Sequence, residues 1–192
     1  VARAEIGTVV PVLLRSWEGN PPRSLDAFAA LGEPALRLAV APDYAGNDRF
    51  QVEAEFAQPT RRLDLNNHGS KARPNGQAES VKELQAFDAQ GKPVPVSFVG
   101  NGGWEMKQGA ASRIRYTLVA DHDAADWAAG KDEVATKFDH SFFFASDAFF
   151  LMDYDWPKQS IDVRFDLPKG WRVTAPWPQH DGVFVAPNPD DF

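Results

Sequence analysis

Histidines beside carboxylates are the residues of this chain that could most directly bind a metal ion. Two short segments have this composition, Asp121-His122-Asp123 and Asp139-His140. A zinc site of the thermolysin type needs two histidines one helical turn apart with a glutamate between them, the HExxH pattern. The chain has no HExxH, and its four histidines are widely spaced: His68, His122, His140 and His180. We therefore predict solvated loop histidines, and expect no catalytic, cofactor-binding or metal-binding residue in this chain.

Two other arrangements could carry out hydrolysis. Ser141 follows His140 directly, but adjacent residues of a strand point to opposite faces, so this pair cannot share a proton. Asp153 and Asp155 would lie about 6.6 Å apart on one side of a strand, and glycosidases use paired carboxylates. An acidic turn before Pro157 is the simpler interpretation, because acidic residues are abundant throughout this chain. A small hydrolase that uses Asp153 or Asp155 stays open as an alternative.

Aromatic residues are concentrated in one segment. Six phenylalanines lie within 13 residues: Phe138, Phe142, Phe143, Phe144, Phe149 and Phe150. Most are expected to be core, but three consecutive phenylalanines in a strand must face both ways. The face opposite the core needs cover, either from residues 1–34, with Leu13, Leu14 and Trp17, or from another domain. We predict an interdomain or ligand surface with these members: Phe142, Phe143, Phe144, Trp156 and Trp177.

Length, composition and charge narrow the class of protein. The chain has 192 residues, 43% of them hydrophobic, and no cysteine, so it can bury a core without disulfides. Its formal charge of -7 argues against nucleic acid as a partner, because duplex binding needs a surplus of basic residues. No apolar run approaches the roughly 20 residues that span a bilayer. The chain begins at Val1 and ends in a stretch typical of running sequence, so we expect it to belong to a longer protein.

Apolar residues alternate with polar ones in several runs, which is typical of half-buried strands. The predicted strands are Arg49–Phe56, Ile161–Leu167, Arg113–Val119, Leu36–Val40 and Val94–Phe98. The alternation predicts a buried set and an exposed set. The buried set is Phe50, Val52, Ile161, Val163 and Phe165, and the exposed set is Glu53, Glu55, Asp162 and Arg164. Replacing Arg164 by alanine should then cost under about 0.5 kcal/mol.

Turn signals separate these strands and complete the predicted fold. We expect a hairpin at Asp88–Lys92, turns at Asn101–Gly103 and Pro168–Gly170, and a long loop at Asn66–Gln77. Short helices are predicted at Leu25–Leu31 and Asp123–Ala129. The fold class is mainly β, an antiparallel β-sandwich-like domain with one or two short helices. Residues 1–34 are expected to form an N-terminal extension packed on the sheet, and residues 35–192 the sandwich-like domain.

Several segments resemble the N-terminal domain of the glycyl-aminopeptidase family, zinc peptidases that often carry a PDZ domain. The more specific matches are SVKELQAFDAQGKPVPV at Ser80–Val96 and LPKGWRVT at Leu167–Thr174. Weaker matches, in the same order along the chain, are Trp104, Ser112–Ala120, Thr136–Leu151 and Phe184–Phe192. The family's Trp-x-Pro-Gly-Ser-Tyr segment is replaced by LNNHGSK at Leu65–Lys71, which puts substrate contact by this domain in doubt.

The resemblance implies a non-catalytic N-terminal domain of an exported zinc metallopeptidase, periplasmic or secreted. It implies a role in supporting the catalytic domain of the same polypeptide and in walling the substrate cleft. Zinc is expected in that catalytic domain and not in this chain, with peptide as a further partner. The alternative is a free-standing β-sandwich module that recognises sugar or peptide through aromatic residues.

Overall fold

The computed structural model describes residues 11–16, 36–42, 48–65, 73–120, 135–138, 141–153, 160–167 and 169–186. Strands dominate these residues, with short 3-10 turns at Gly76–Ser80 and Ser146–Ala148. The strands are β1 Pro11–Ser16, β2 Leu36–Pro42, β3 Arg49–Thr60, β4 Arg62–Asp64, β5 Val81–Phe87, β6 Pro93–Val94, β7 Ser97–Gly100, β8 Gly103–Glu105, β9 Ala111–Val119, β10 Thr136–Phe138, β11 Ser141–Ala145, β12 Ile161–Phe165, β13 Trp171–Thr174, β14 Gln179–His180 and β15 Val183–Ala186.

The strands form three sheets. The largest has eight strands in the order β14-β15-β12-β2-β3-β9-β5-β6, and the second has four, in the order β10-β11-β1-β13. A small sheet of three strands has the order β4-β8-β7. Neighbouring strands are antiparallel except for β2 and β12, which run parallel. The predicted mainly-β fold class is confirmed, and this parallel pair makes the large sheet mixed.

Aromatic rings fill the space between the eight-stranded and four-stranded sheets. Phe50 of β3 meets Phe142 of β11 edge to face, with ring centroids 4.8 Å apart. Phe144 of β11 lies 6.5 Å from Phe165 of β12, again between centroids. The same layer holds Trp171 of β13, which stacks on Phe142. Two sheets that share one aromatic core are the arrangement that the sandwich-like prediction described.

Period-two patterning correctly predicts the central strands of the large sheet. Along β2, β3 and β9 the apolar side chains of one face are buried, and Thr117 on the other face of β9 is buried as well. These apolar side chains are Leu36, Leu38, Val40, Phe50, Val52, Ala54, Phe56, Ile114, Tyr116 and Leu118. Glu55 on the other face of β3 is exposed as predicted, whereas Glu53 is half-buried. The alternation therefore reports a real core face on these three strands.

Strand β12 departs from the prediction. Asp162 and Arg164 were predicted to be exposed, and this is wrong: their exposed fractions are 1% and 6%. The strand lies inside the sheet, parallel to β2 on one side and antiparallel to β15 on the other. Strands in parallel pairs are commonly buried on both faces. Of the two polar side chains of β12, Arg164 is accommodated by an ion pair, in which it donates to Asp166 at 2.7 Å.

Asp162 is the least satisfied of these buried groups. Its Oδ2 is buried without a hydrogen-bond partner. Arg37 stands opposite it on β2, and Glu55 stands opposite Arg37 on β3. Burial raises the pKa of the Asp162 carboxyl, and the positive charge of Arg37 opposes the rise only in part. The folded chain therefore binds this proton more tightly than the unfolded chain does.

This linkage predicts that Asp162→Asn stabilises the chain at neutral pH. The pKa of Asp162 in the folded chain lies above the ordinary value of 3.8. The stability that this group contributes is therefore fully present below pH 3.8 and is lost as the pH rises through the folded pKa. The asparagine side chain of the variant does not ionise, so the variant does not lose this stability as the pH rises. We expect the variant's advantage in melting temperature to grow upward from about pH 4 and then level off. Thermal melts of both proteins across this range measure it.

The control is Asp181→Asn, at an exposed turn residue with a φ of 49° that asparagine tolerates. Because this side chain is exposed, the variant should melt close to the wild type at pH 7. An Asp162→Asn protein that melts below the wild type at pH 7 would contradict the assignment.

The predicted turns are present where the chain is described. In the hairpin after β5, the Asp88 carboxylate accepts the backbone N–H groups of Gln90 and Lys92. Gly91 takes a φ of 76°, which favours glycine. The turn at Asn101–Gly103 joins β7 to β8, and Lys169-Gly170 precedes β13. The hairpin partner of β5 is shorter than predicted, because β6 ends at Val94 and β7 starts a different sheet at Ser97.

The predicted helices at Leu25–Leu31 and Asp123–Ala129 lie outside the described residues. From the predicted N-terminal extension, β1 lies between β11 and β13 in the four-stranded sheet. The division into an extension of residues 1–34 and a domain of residues 35–192 stays a prediction.

Candidate functional surface

The aromatic residues predicted to form a surface are mostly in the core. Phe142 and Phe144 have exposed fractions of 4% and 0%, and Trp177 has 6%. Phe144 stacks on Phe149, with ring centroids 3.9 Å apart. These buried rings join the two sheets and present no free face. Phe143, on the other face of β11, is half-buried. Trp156 lies outside the described residues, so a surface role stays a prediction for it and for Phe143.

A buried tyrosine fixes the turn that carries the last rings of the cluster. The Tyr116 hydroxyl donates to the carbonyl of Phe149 and accepts the N–H of Leu151, each at 3.1 Å. Burial raises the pKa of this phenol well above its ordinary value of 10. The hydroxyl is therefore neutral at all physiological pH values and serves as both donor and acceptor. It links β9 of the large sheet to the segment after β11.

Removing this hydroxyl should destabilise the chain. In Tyr116→Phe the ring still fills its place, but one buried carbonyl and one buried N–H lose their partner. Leaving buried polar groups unsatisfied costs about 1–3 kcal/mol. Urea denaturation should show a lower midpoint with an unchanged slope. An unchanged midpoint would mean that water replaces the hydroxyl and that the turn does not depend on it.

Among the residues that the structure describes, those considered for chemistry form no site. Within the described part of the chain, no group of three or more His, Asp or Glu side chains is placed to hold a metal ion. His180 is exposed on β14, whereas His68, His122 and His140 lie outside that part. Asp153 contacts the Thr60 hydroxyl at the end of β3. Asp155 lies outside the described residues, so the predicted carboxylate pair stays untested.

The small sheet carries two exposed apolar side chains. Phe98 and Val99 of β7 are 42% and 45% exposed, and they are the large hydrophobic residues exposed among those described. The predicted strand Val94–Phe98 is divided, because Pro95 lies between β6 and β7. Phe98 and Val99 are adjacent apolar residues of one strand, so they must face opposite sides of the sheet, as consecutive residues of Phe142–Phe144 do. That signal could have identified β7.

The β7–β8 hairpin presents these side chains on a packed base. The Phe98 ring lies 5.1 Å from the ring of Trp104, which is 7% exposed. On the other face of the sheet, Arg62 forms a two-point ion pair with Asp64, at 2.7 and 2.8 Å. Arg62 also lies 3.6 Å from a carboxylate oxygen of Glu105, so this face carries one cation and two carboxylates. The hairpin combines a fixed backbone with apolar side chains open to solvent.

No helix among the described residues is both long enough and apolar enough to cross a bilayer.

Comparisons with known proteins agree with this architecture. The model of the Peptidase M61 N-terminal domain matches residues 37–192. The structure of an aminopeptidase N family protein from Idiomarina loihiensis is similar, with a TM-score of 0.62 and 18% identity. That match covers 81% of this chain and 27% of the other, so this chain spans less than a third of that protein's length. At this identity the likeness shows the fold.

An M1 zinc metallopeptidase from Deinococcus radiodurans, solved with a Tyr-Ser-Ala substrate, aligns with a TM-score of 0.41 and 12% identity. That alignment covers 90% of this chain and 38% of the other. No curated protein sequence matches the chain. The resemblance seen at Ser80–Val96 and Leu167–Thr174 is confirmed by the family match. The chain belongs to the Peptidase M61 N-terminal domain family.

Proposed function

We propose that this chain is the non-catalytic N-terminal domain of a zinc metallopeptidase and that it supports the catalytic domain of the same polypeptide. The observation that carries the proposal is the family match over residues 37–192. The structure supports it in two ways. Of the residues considered for chemistry that the structure describes, His180 is exposed on β14 and Asp153 is engaged in a contact with Thr60. The aromatic residues, which could have bound a ligand, mostly hold the two sheets together.

The rigid two-sheet core suits a supporting role. A side chain such as Phe144, fully buried and packed against Phe149 and Phe150, leaves little freedom between the layers. Such a body can hold a neighbouring domain without changing shape. Zinc and the catalytic residues would belong to that neighbour. Export to the periplasm or the medium, and a PDZ domain elsewhere in the polypeptide, are further parts of this proposal.

Zinc content and peptidase activity test the central claim. The 192-residue chain should cleave no peptide and hold no stoichiometric zinc. The polypeptide that contains the catalytic domain should cleave peptides, lose activity with a chelator and regain it with zinc. Elemental analysis that finds one tightly held zinc per 192-residue chain would refute the non-catalytic assignment.

We propose in addition that the domain walls one side of the substrate cleft. A domain that only supports its neighbour would change melting temperature when weakened, with KM unchanged for all peptides. A domain that lines the cleft would also affect KM for longer peptides, because these reach further from the scissile bond. Measuring KM against peptide length, in the wild type and in Phe143→Ala, separates the two roles. Equal KM values throughout would reject a cleft contact at Phe143.

A further inference from the structure

Strand β7 forms an open edge of the small sheet. The opposite edge strand, β4, is closed, because Asp64 and Met152 exchange two backbone hydrogen bonds of 2.6 and 2.9 Å. In the described residues β7 pairs with β8 on one side and with no strand on the other. Open edges with apolar side chains promote association, and natural proteins usually protect them with charges, proline or a covering segment. The β7 edge is short and has a register irregularity between Phe98 and Gly100. It nevertheless carries Phe98 and Val99, both more than 40% exposed.

Apolar side chains flank this edge on both faces. Phe98 lies against Trp104 on one face. On the other face, Val99 lies close to Gly103. A Cβ atom added to Gly103 would lie 3.3 Å from Cγ2 of Val99 and 3.2 Å from Oδ1 of Asp64, so the absence of a side chain at Gly103 permits the close approach of β7 and β8. The turn between the strands is held in conformations with positive φ, 47° at Asn101 and 74° at Gly102. Both apolar side chains of this edge are thus presented on a defined hairpin, within reach of a neighbouring surface.

We propose that the edge of β7, with Phe98 and Val99, docks against the catalytic domain of the same polypeptide. The inference rests on the proposed function and specifies its interface. A second copy of this chain is a poorer occupant, because a stable dimer buries about 800 Å² per partner, far more than two side chains and a four-residue edge provide. A domain on the same polypeptide can dock with a smaller buried area, because the covalent connection keeps its effective concentration high.

Hydrogen exchange of residues 97–100 tests the contact directly. The segment is compared in the 192-residue chain and in the polypeptide that includes the catalytic domain. We expect exchange at least about tenfold slower in the longer protein, since a docked edge opens less often. Equal rates in the two proteins would overturn the proposal. Protection that appears in the 192-residue chain as its concentration rises would also overturn it, in favour of a second copy.

Substitutions give an independent measurement. Phe98→Asp should remove the protection of residues 97–100 in the longer protein. Val99→Ser should reduce that protection and leave the ring contact between Phe98 and Trp104 in place. Reduced protection in this variant therefore cannot be explained by loss of that contact, as it could be in Phe98→Asp. Gln179→Asp is the matched control, because it adds the same charge to an exposed strand residue of the large sheet's far edge. Loss of protection in this control as well would refute a specific contact at β7.

Peptide cleavage by the longer protein separates the two proposals. If the longer protein cleaves peptides while residues 97–100 exchange as fast as in the 192-residue chain, this interface is rejected and the proposed function stands. A longer protein that has neither zinc nor cleavage would overturn both proposals.

Discussion

Phe144→Ala is expected to lower the free energy of unfolding by about 3–5 kcal/mol. The ring is fully buried, stacks on Phe149 at 3.9 Å and lies edge-on to Phe150 at 6.0 Å. It also approaches Phe165 of the opposite sheet. Its loss leaves a cavity at the junction of the two sheets and the turn after β11, where several rings cannot all move inward. Urea denaturation followed by fluorescence measures the change.

Phe143→Ala is the matched control, since it removes the same side chain from the next position of the same strand. Phe143 is half-buried and lies on the other face of β11. Its replacement should cost under about 2 kcal/mol, in proportion to the smaller apolar area removed from water. Similar losses in the two variants would show that both faces of β11 are covered to the same extent.

Phe165→Ala and Arg164→Ala should both destabilise the chain, although the two side chains point to opposite faces of β12. Phe165 is 7% exposed and contacts Phe184 and Phe144, so its truncation should cost about 3–5 kcal/mol. Arg164 is nearly as buried and pairs with Asp166 at 2.7 Å. Its removal leaves Asp166 without this partner, and a cost of about 1–3 kcal/mol is expected because that carboxylate is partly solvated. Equilibrium unfolding of the two variants measures both costs.

Arg49→Ala provides the comparison for the arginine. Arg49 is exposed at the start of β3, so its replacement should cost under about 0.5 kcal/mol. If Arg164→Ala is as stable as Arg49→Ala, Arg164 is exposed, as period-two patterning predicts.

Local patterning was sufficient for much of this fold. Alternation identified β2, β3 and β9, because each places one row of apolar side chains in the core. The Asp88–Lys92 hairpin was predictable because an aspartate that accepts its neighbours' N–H groups, followed by glycine, is a self-contained turn. The family resemblance at Ser80–Val96 and Leu167–Thr174 was also visible without coordinates.

Tertiary structure determined which faces are covered. The period of a strand shows which side chains share a face, and it carries no information about what lies above that face. Asp162 and Arg164 are buried although they alternate with the core residues of β12. Strand β12 itself pairs with β2, a strand more than a hundred residues earlier in the chain. Phe142 and Phe144 are core because the eight-stranded sheet supplies the rings that meet them, while Phe98 remains exposed at an edge. Such contacts join distant segments, and pairings of this kind leave no local signal in the sequence.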